Sequence, residues 1–137
     1  FTAPSGIGKT TQAKLWKEHR GAEMICNDRT LIRNGMTYGY PVDGSEPVGS
    51  EKTFPLGAII LLEQGKEDVV QKLRPRDALL KLYPQLIMSF WNPLSRILAT
   101  EQLIAITKEY PIYLFRCTPT ESAVQCLEQQ LKIDGVL

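Results

Sequence analysis

Ala3-Pro4-Ser5-Gly6-Ile7-Gly8-Lys9-Thr10-Thr11 decides how the rest of the chain is read. The stretch fits the phosphate-loop pattern G-x-x-x-x-G-K-[ST], with Ala3 where the first glycine would stand. Each residue type has a chemical reason. Gly6 and Gly8 let the backbone turn tightly and aim several N–H groups inward, a concavity that suits anionic oxygens. The start of a following helix adds a partial positive charge at the same place. Lys9 can reach β- and γ-phosphates, and the Thr10 hydroxyl is a hard ligand for Mg²⁺ carried on them. Ser5, Gly6, Ile7, Gly8, Lys9, Thr10 and Thr11 are therefore the candidate nucleotide-binding residues, and ATP and Mg²⁺ the cofactors they imply. The plainer reading is a glycine-rich turn that caps an ordinary surface helix.

Such loops join a strand to a helix. Downstream, residues 9–20 are good helix formers with Ala13, Leu15 and Trp16 on the apolar side, and Gly21 ends them. Upstream, only Phe1 and Thr2 remain for the strand, and the chain opens with Phe rather than Met. The expectation is the C-terminal part of a longer protein, with one or more N-terminal strands missing. Residues 23–26 read as a short strand, and Asp28 follows it, nineteen residues after Lys9. A carboxylate at the end of a strand beside a phosphate loop can hold Mg²⁺ or orient an attacking hydroxyl. The alternative is that Asn27-Asp28 is simply a turn.

Further along, Asn34-Gly35 between residues 30–33 and 36–40 predicts a β-hairpin. Residues 41–55, rich in Gly, Pro, Ser and charge, predict a long loop. The apolar run at 56–62 reads as a strand buried on both faces, and 68–73 as another strand. Helices are predicted over 75–83 and from the Asn92-Pro93 start to about Tyr110, the latter with Leu94, Ile97, Leu98, Ile104 and Ala105 near one stripe. Residues 112–117 read as a strand. Thr118-Pro119-Thr120-Glu121 reads as a capping box, with Ala123, Val124, Leu127 and Leu131 as the buried stripe of the last helix. Strands and helices in this order predict an α/β domain over residues 1–137, a mixed sheet flanked by helices.

Composition narrows the function. The 137 residues suit one domain with a real core, since a chain near 150 residues buries roughly 70% of its unfolded surface. Sixteen Lys+Arg against fifteen Asp+Glu, with no basic run, argue against a nucleic-acid partner. No apolar stretch approaches the ~20 residues of a membrane span, and no signal-peptide pattern opens the sequence. Three cysteines without a Cys-x-x-Cys pair, and one histidine, argue against a zinc site or a disulfide framework. Cys26, Cys117 and Cys126 read as small buried residues in a reducing, cytoplasmic setting. Arg29, beside Asp28, could equally touch phosphate or pair with a neighbouring charge, whereas Arg74, Arg76, Asp43 and Glu46 read as solvated charges before they read as ligands. His19 lies too far along its helix to reach phosphates, and Trp16 and Trp91 are core or partner-facing aromatics.

The segments 1–16, 21–29 and 38–41, with Ser-Gly-Ile-Gly-Lys-Thr-Thr in the first and Asn27-Asp28-Arg29 in the second, resemble small bacterial proteins related to HPr kinase/phosphorylase. That family shares its nucleotide-binding core with the ATP-dependent phosphoenolpyruvate carboxykinases. The resemblance extends over residues 1 to about 63 and is general beyond. It implies a phosphate-loop domain of this type, ATP and Mg²⁺ as cofactors, and phosphoryl transfer to a hydroxyl. Lys9 and Asp28 would be catalytic, and Thr10 and Asp28 would be metal ligands. The acceptor would be a serine of a protein or peptide, or a small molecule, and a homo-oligomer is left open. Asn27 stands where the family has a second Asp, and residues 53–57 lack its Glu- and Arg-containing signature. The alternatives are another phosphate-loop ATPase fragment and a nucleotide-sensing module without catalysis.

Overall fold

The computed structural model describes residues 1–26, 29–39, 52–89 and 91–137. Helix α1 spans Lys9–Arg20, and Gly21 closes it in the left-handed conformation, its N–H bonded to the Lys17 carbonyl. Strands β1 (Thr30–Arg33) and β2 (Met36–Gly39) form the expected hairpin. Asn34 and Gly35 both carry positive φ, 51° and 71°, as a two-residue hairpin turn requires. A Cβ at Gly35 would lie 2.5 Å from the Tyr110 hydroxyl, so that side chain would have to shift to admit one.

Strand β3 (Thr53–Pro55) pairs with β2 and completes a small antiparallel sheet. The predicted loop at 41–55 therefore ends in a strand, and residues 40–51 lie outside the described residues. Phe54 backs onto Thr37, whose hydroxyl donates to the Phe54 carbonyl, so a partner strand overrides the local turn composition. The strand predicted at 23–26 forms no ladder. Residues 23–25 lie outside any strand and Cys26 makes a single bridge, while Glu23 pairs with Lys52, 3.0 Å away.

The second sheet carries the core. Strands β4 (Ile59–Gln64), β5 (Val69–Lys72) and β6 (Ile112–Cys117) lie in the order β4-β6-β5, with β4 and β6 parallel and β5 antiparallel to β6. Ahead of α1, Thr2 adds a parallel bridge to Leu61 on the free side of β4. β4 begins three residues later than its apolar run, because the Leu56 N–H is taken by the Gly35 carbonyl of the hairpin.

Helices cover both faces, as alternating side chains demand. Ile60 and Leu62 of β4 and Tyr113, Phe115 and Cys117 of β6 pack with α1 and with Ala123, Leu127 and Leu131 of α4 (Glu121–Ile133). Leu61 and Ile112 pack on the other face with Ala78 and Leu82 of α2 (Pro75–Leu82) and Leu103 of α3 (Pro93–Glu109). A 3₁₀ turn, Tyr83–Gln85, continues α2. Asn92 caps α3 as its sequence predicts, its side chain accepting from the Leu94 and Ser95 N–H groups.

Two details of the helices differ from the sequence reading. Leu94, Ile97 and Leu98 are exposed, and α3 buries Leu103 and Thr107 instead. Apolar residues surround this helix, so periodicity offered more than one inward face and packing against α2 selects among them. At α4 the N-cap is Thr120 and Glu121 is the first helical residue, so no capping box forms. Thr118, the expected cap, gives both its N–H and its hydroxyl to Asp68, at 2.7 and 3.0 Å.

Candidate functional site

Residues 3–8 leave the edge of the main sheet and enter α1. The entry is fixed by two backbone bonds, Thr2 N–H to the Ile60 carbonyl at 2.8 Å and Leu62 N–H to the Thr2 carbonyl at 2.9 Å. Ala3 is buried, and the chain then turns through exposed Pro4, Ser5 and Gly6. Gly6 has φ 82° and Gly8 φ 115°, while Ile7 between them has no positive φ and packs on the core. Alternating signs of φ are the backbone pattern that turns successive N–H groups toward one side in anion-binding loops. A Cβ at either glycine would meet nothing within 4 Å, so backbone angle and not space calls for glycine there.

Gly8 is also the N-cap of α1. No side chain caps this end, and its first turn holds no acidic residue. α2 and α4 differ, with Asp77 and Glu121 in their first turns. The positive end of the α1 dipole is thus left without a carboxylate from its own helix. The first N–H bonded back along the helix is that of Gln12, to the Gly8 carbonyl. Lys9 folds over the loop, donating to the Ala3 carbonyl at 2.9 Å and the Pro4 carbonyl at 3.3 Å. Its charge forms no ion pair among the described residues.

The structure brings Ser5, Gly6, Ile7, Gly8, Lys9, Thr10 and Thr11 together as one loop and helix start. Asp28, the candidate catalytic and metal-binding carboxylate, lies outside the described residues, as do Asp43 and Glu46. Cys26 and Thr30 flank the Asn27-Asp28 pair, with Sγ and Oγ1 2.6 Å apart. Among the described residues no three His, Cys, Asp or Glu side chains gather as a metal site. Of the weaker candidates, Arg74 pairs with Asp77 at 3.7 Å, and His19 Nδ1 lies 3.7 Å from a Glu121 carboxylate oxygen. Trp91 is 86% exposed and Trp16 packs against the core.

Three residues around the loop escaped the sequence reading. Gln12 is 3% exposed and donates through Nε2 to the Thr118 carbonyl at 2.9 Å and to Cys117 Sγ at 3.3 Å. It fixes α1 to the end of β6. A polar residue on the inner side of a helix, three positions after Lys9, was its signal. Burial pushes the Cys117 thiol up to about 11, which keeps it neutral against this amide. Asp68 closes the same edge, accepting from Thr118 and from the Ser122 hydroxyl. Burial pushes its carboxyl up, but the bonds from Ser122 and Thr118 together outweigh that and hold it below the usual carboxylate range. Gln64, at the end of β4, donates toward the Gly6 and Ile7 carbonyls at 3.4 Å each. Its signal was its position as the polar residue that ends an apolar strand.

No helix among the described residues is long and apolar enough to cross a membrane. No family model, curated protein or solved structure matches the chain.

Proposed function

We propose that residues 5–11 bind the phosphates of Mg²⁺·ATP and that the domain is an ATP-dependent phosphotransferase of the HPr kinase-related type, acting on a hydroxyl acceptor. One observation carries the reading: two left-handed glycines lead into an uncapped helix whose first side chain, Lys9, lies over the loop. Backbone N–H groups and the Lys9 ammonium would hold the phosphates, and the Thr10 hydroxyl would ligate Mg²⁺. Such a reaction asks for positioning and charge neutralisation, with little covalent work from the protein. The acceptor is a serine of a protein or peptide, or a small molecule.

Calorimetric titration with Mg²⁺·ATP tests the binding half. Lys9→Ala is expected to weaken affinity at least tenfold, about 1.4 kcal/mol. Equal affinity of variant and parent would reject the assignment. A second reading, nucleotide binding without transfer, is favoured by Asn27, which stands where the family has an Asp, and by residues 53–57, which lack the family's signature. Nucleotide binding with no release of phosphate and no labelled acceptor would favour that second reading.

A further inference from the structure

We infer that the outer corner of α2 and α3 is the interface of a two-fold dimer of this chain, with Trp91 of each copy seated in a groove of the other. The inference does not depend on the nucleotide-binding reading. The corner lies on the face of the main sheet opposite α1, so a dimer through it leaves residues 5–11 open.

Tyr83, just after α2, and Pro93 and Ile97, in the first turns of α3, line one groove of about 320 Å³. Arg96, Thr100 and Glu101 complete its wall. Because Tyr83 and Pro93 share the groove, the segment that joins them returns to its rim. That segment carries Ile87, 71% exposed, and Trp91, 86% exposed. The bare indole thus stands two residues before the groove residue Pro93.

The apolar surface is large for a chain that stays alone. Tyr83, Ile87, Trp91, Leu94 and Ile97 are all exposed. Large side chains present about 150–250 Å² each when bare, so these five leave on the order of 600 Å² uncovered. The largest apolar patch of a typical monomer is roughly 300–600 Å². A standard interface buries ~800 Å² per partner, apolar at its centre and polar at its rim. The five side chains with the polar groove wall come to about that size.

Self-complementarity selects the occupant. A knob and a hole lie side by side on one surface, and a two-fold axis between them sets each knob into the other copy's hole. The groove has about the share of ten liquid waters, which takes an indole with space over. Tryptophan is also enriched among the side chains that dominate interface energies. The wall offers an indole apolar contact from Ile97 and Tyr83, a cation for its face from Arg96 and an acceptor for its N–H from Glu101. Neither Arg96 nor Glu101 enters an ion pair among the described residues. One cation and one anion on each wall cancel, so two identical surfaces meet without net repulsion.

Sedimentation velocity on the whole chain, from about 1 to about 300 µM, brackets the micromolar dissociation constant expected at this interface size. Parent, Trp91→Ala and Ile97→Lys proteins are compared. Both side chains are exposed, so neither change should move the thermal midpoint at low concentration. The parent is expected to form a discrete dimer, and each variant to weaken it at least about thirtyfold, the scale of losing a central anchor. Fluorescence adds a second readout, because the chain has two tryptophans and Trp16 packs against the core. Parent emission should move to the blue over the same concentrations, and Trp91→Ala emission should not. A parent that stays monomeric at the highest concentration overturns the inference and leaves the corner to a different protein. A dimer that persists in both variants overturns it as well, because the interface then lies elsewhere.

Discussion

Gly8 holds φ 115° at the junction of loop and helix, a conformation that side-chain-bearing residues rarely adopt. Gly8→Ala is therefore expected to destabilise the fold by about 1–3 kcal/mol in a urea titration, although the added methyl would touch nothing. An unchanged midpoint would show that the loop relaxes freely. Asp68 makes a different prediction, because its carboxyl lies below the usual range. A group with a depressed folded pKa stabilises fully above the unfolded value, near ~4 for Asp, and that contribution is lost as pH falls through the folded value. The melting temperature of Asp68→Asn should thus fall short of the parent at pH 7, and the gap should narrow below about pH 4. A gap constant across that range would contradict the assignment. Asp28 carries the catalytic proposal. A carboxylate that holds metal or orients the acceptor matters more in the transition state than in the ground state. Asp28→Asn is expected to change ATP affinity less than about tenfold while turnover falls roughly 10²-fold or more. Lost affinity with intact turnover of bound ATP would make Asp28 a binding or structural residue only.

Among the elements, α4 and α3 show what periodicity can and cannot say. In α4, Ala123, Val124, Leu127 and Leu131 are all buried, as their spacing predicts, because the opposite side of the helix is polar. Asp134 then ties the end of α4 to the sheet, accepting from the Tyr113 hydroxyl at 2.6 Å and from Lys72 at 3.2 Å. In α3 the exposed Leu94 and Leu98 and the buried Leu103 share one apolar helix, and only the position of α2 tells them apart. Leu127→Ala is expected to cost about 2–5 kcal/mol, and Leu98→Ala to stay within about 0.5 kcal/mol, in paired urea titrations. Similar costs would mean that α3 buries its outer face in solution. The same contrast explains the other elements. The hairpin at Asn34-Gly35 was legible because turn angles are local. β3 was not, because its three residues become a strand only through β2. The capping box failed because Asp68, fifty residues away in sequence, captures Thr118.

At the scale of the molecule, one parallel edge gathers what the sequence scatters. Thr2 beside β4, the β4–β6 pair and the Gln12 bond to Thr118 bring residues 3–11, 64 and 117–118 to the same end of the main sheet. The loop itself was legible, since its glycines and Lys9 are contiguous. Gln12, Gln64 and Asp68 were not, since each acts through a partner distant in sequence. In the proposed function the N–H groups of residues 5–11 and the Lys9 ammonium hold phosphate. Nitrogen–proton correlation spectra recorded during titration with Mg²⁺·ATP read those groups one by one. The largest, saturable shifts are expected on the amides of Gly6, Ile7, Gly8 and Lys9, and Lys9→Ala is expected to move the titration to at least tenfold higher ATP. Saturable shifts confined to other residues, or none at these amides, would contradict it.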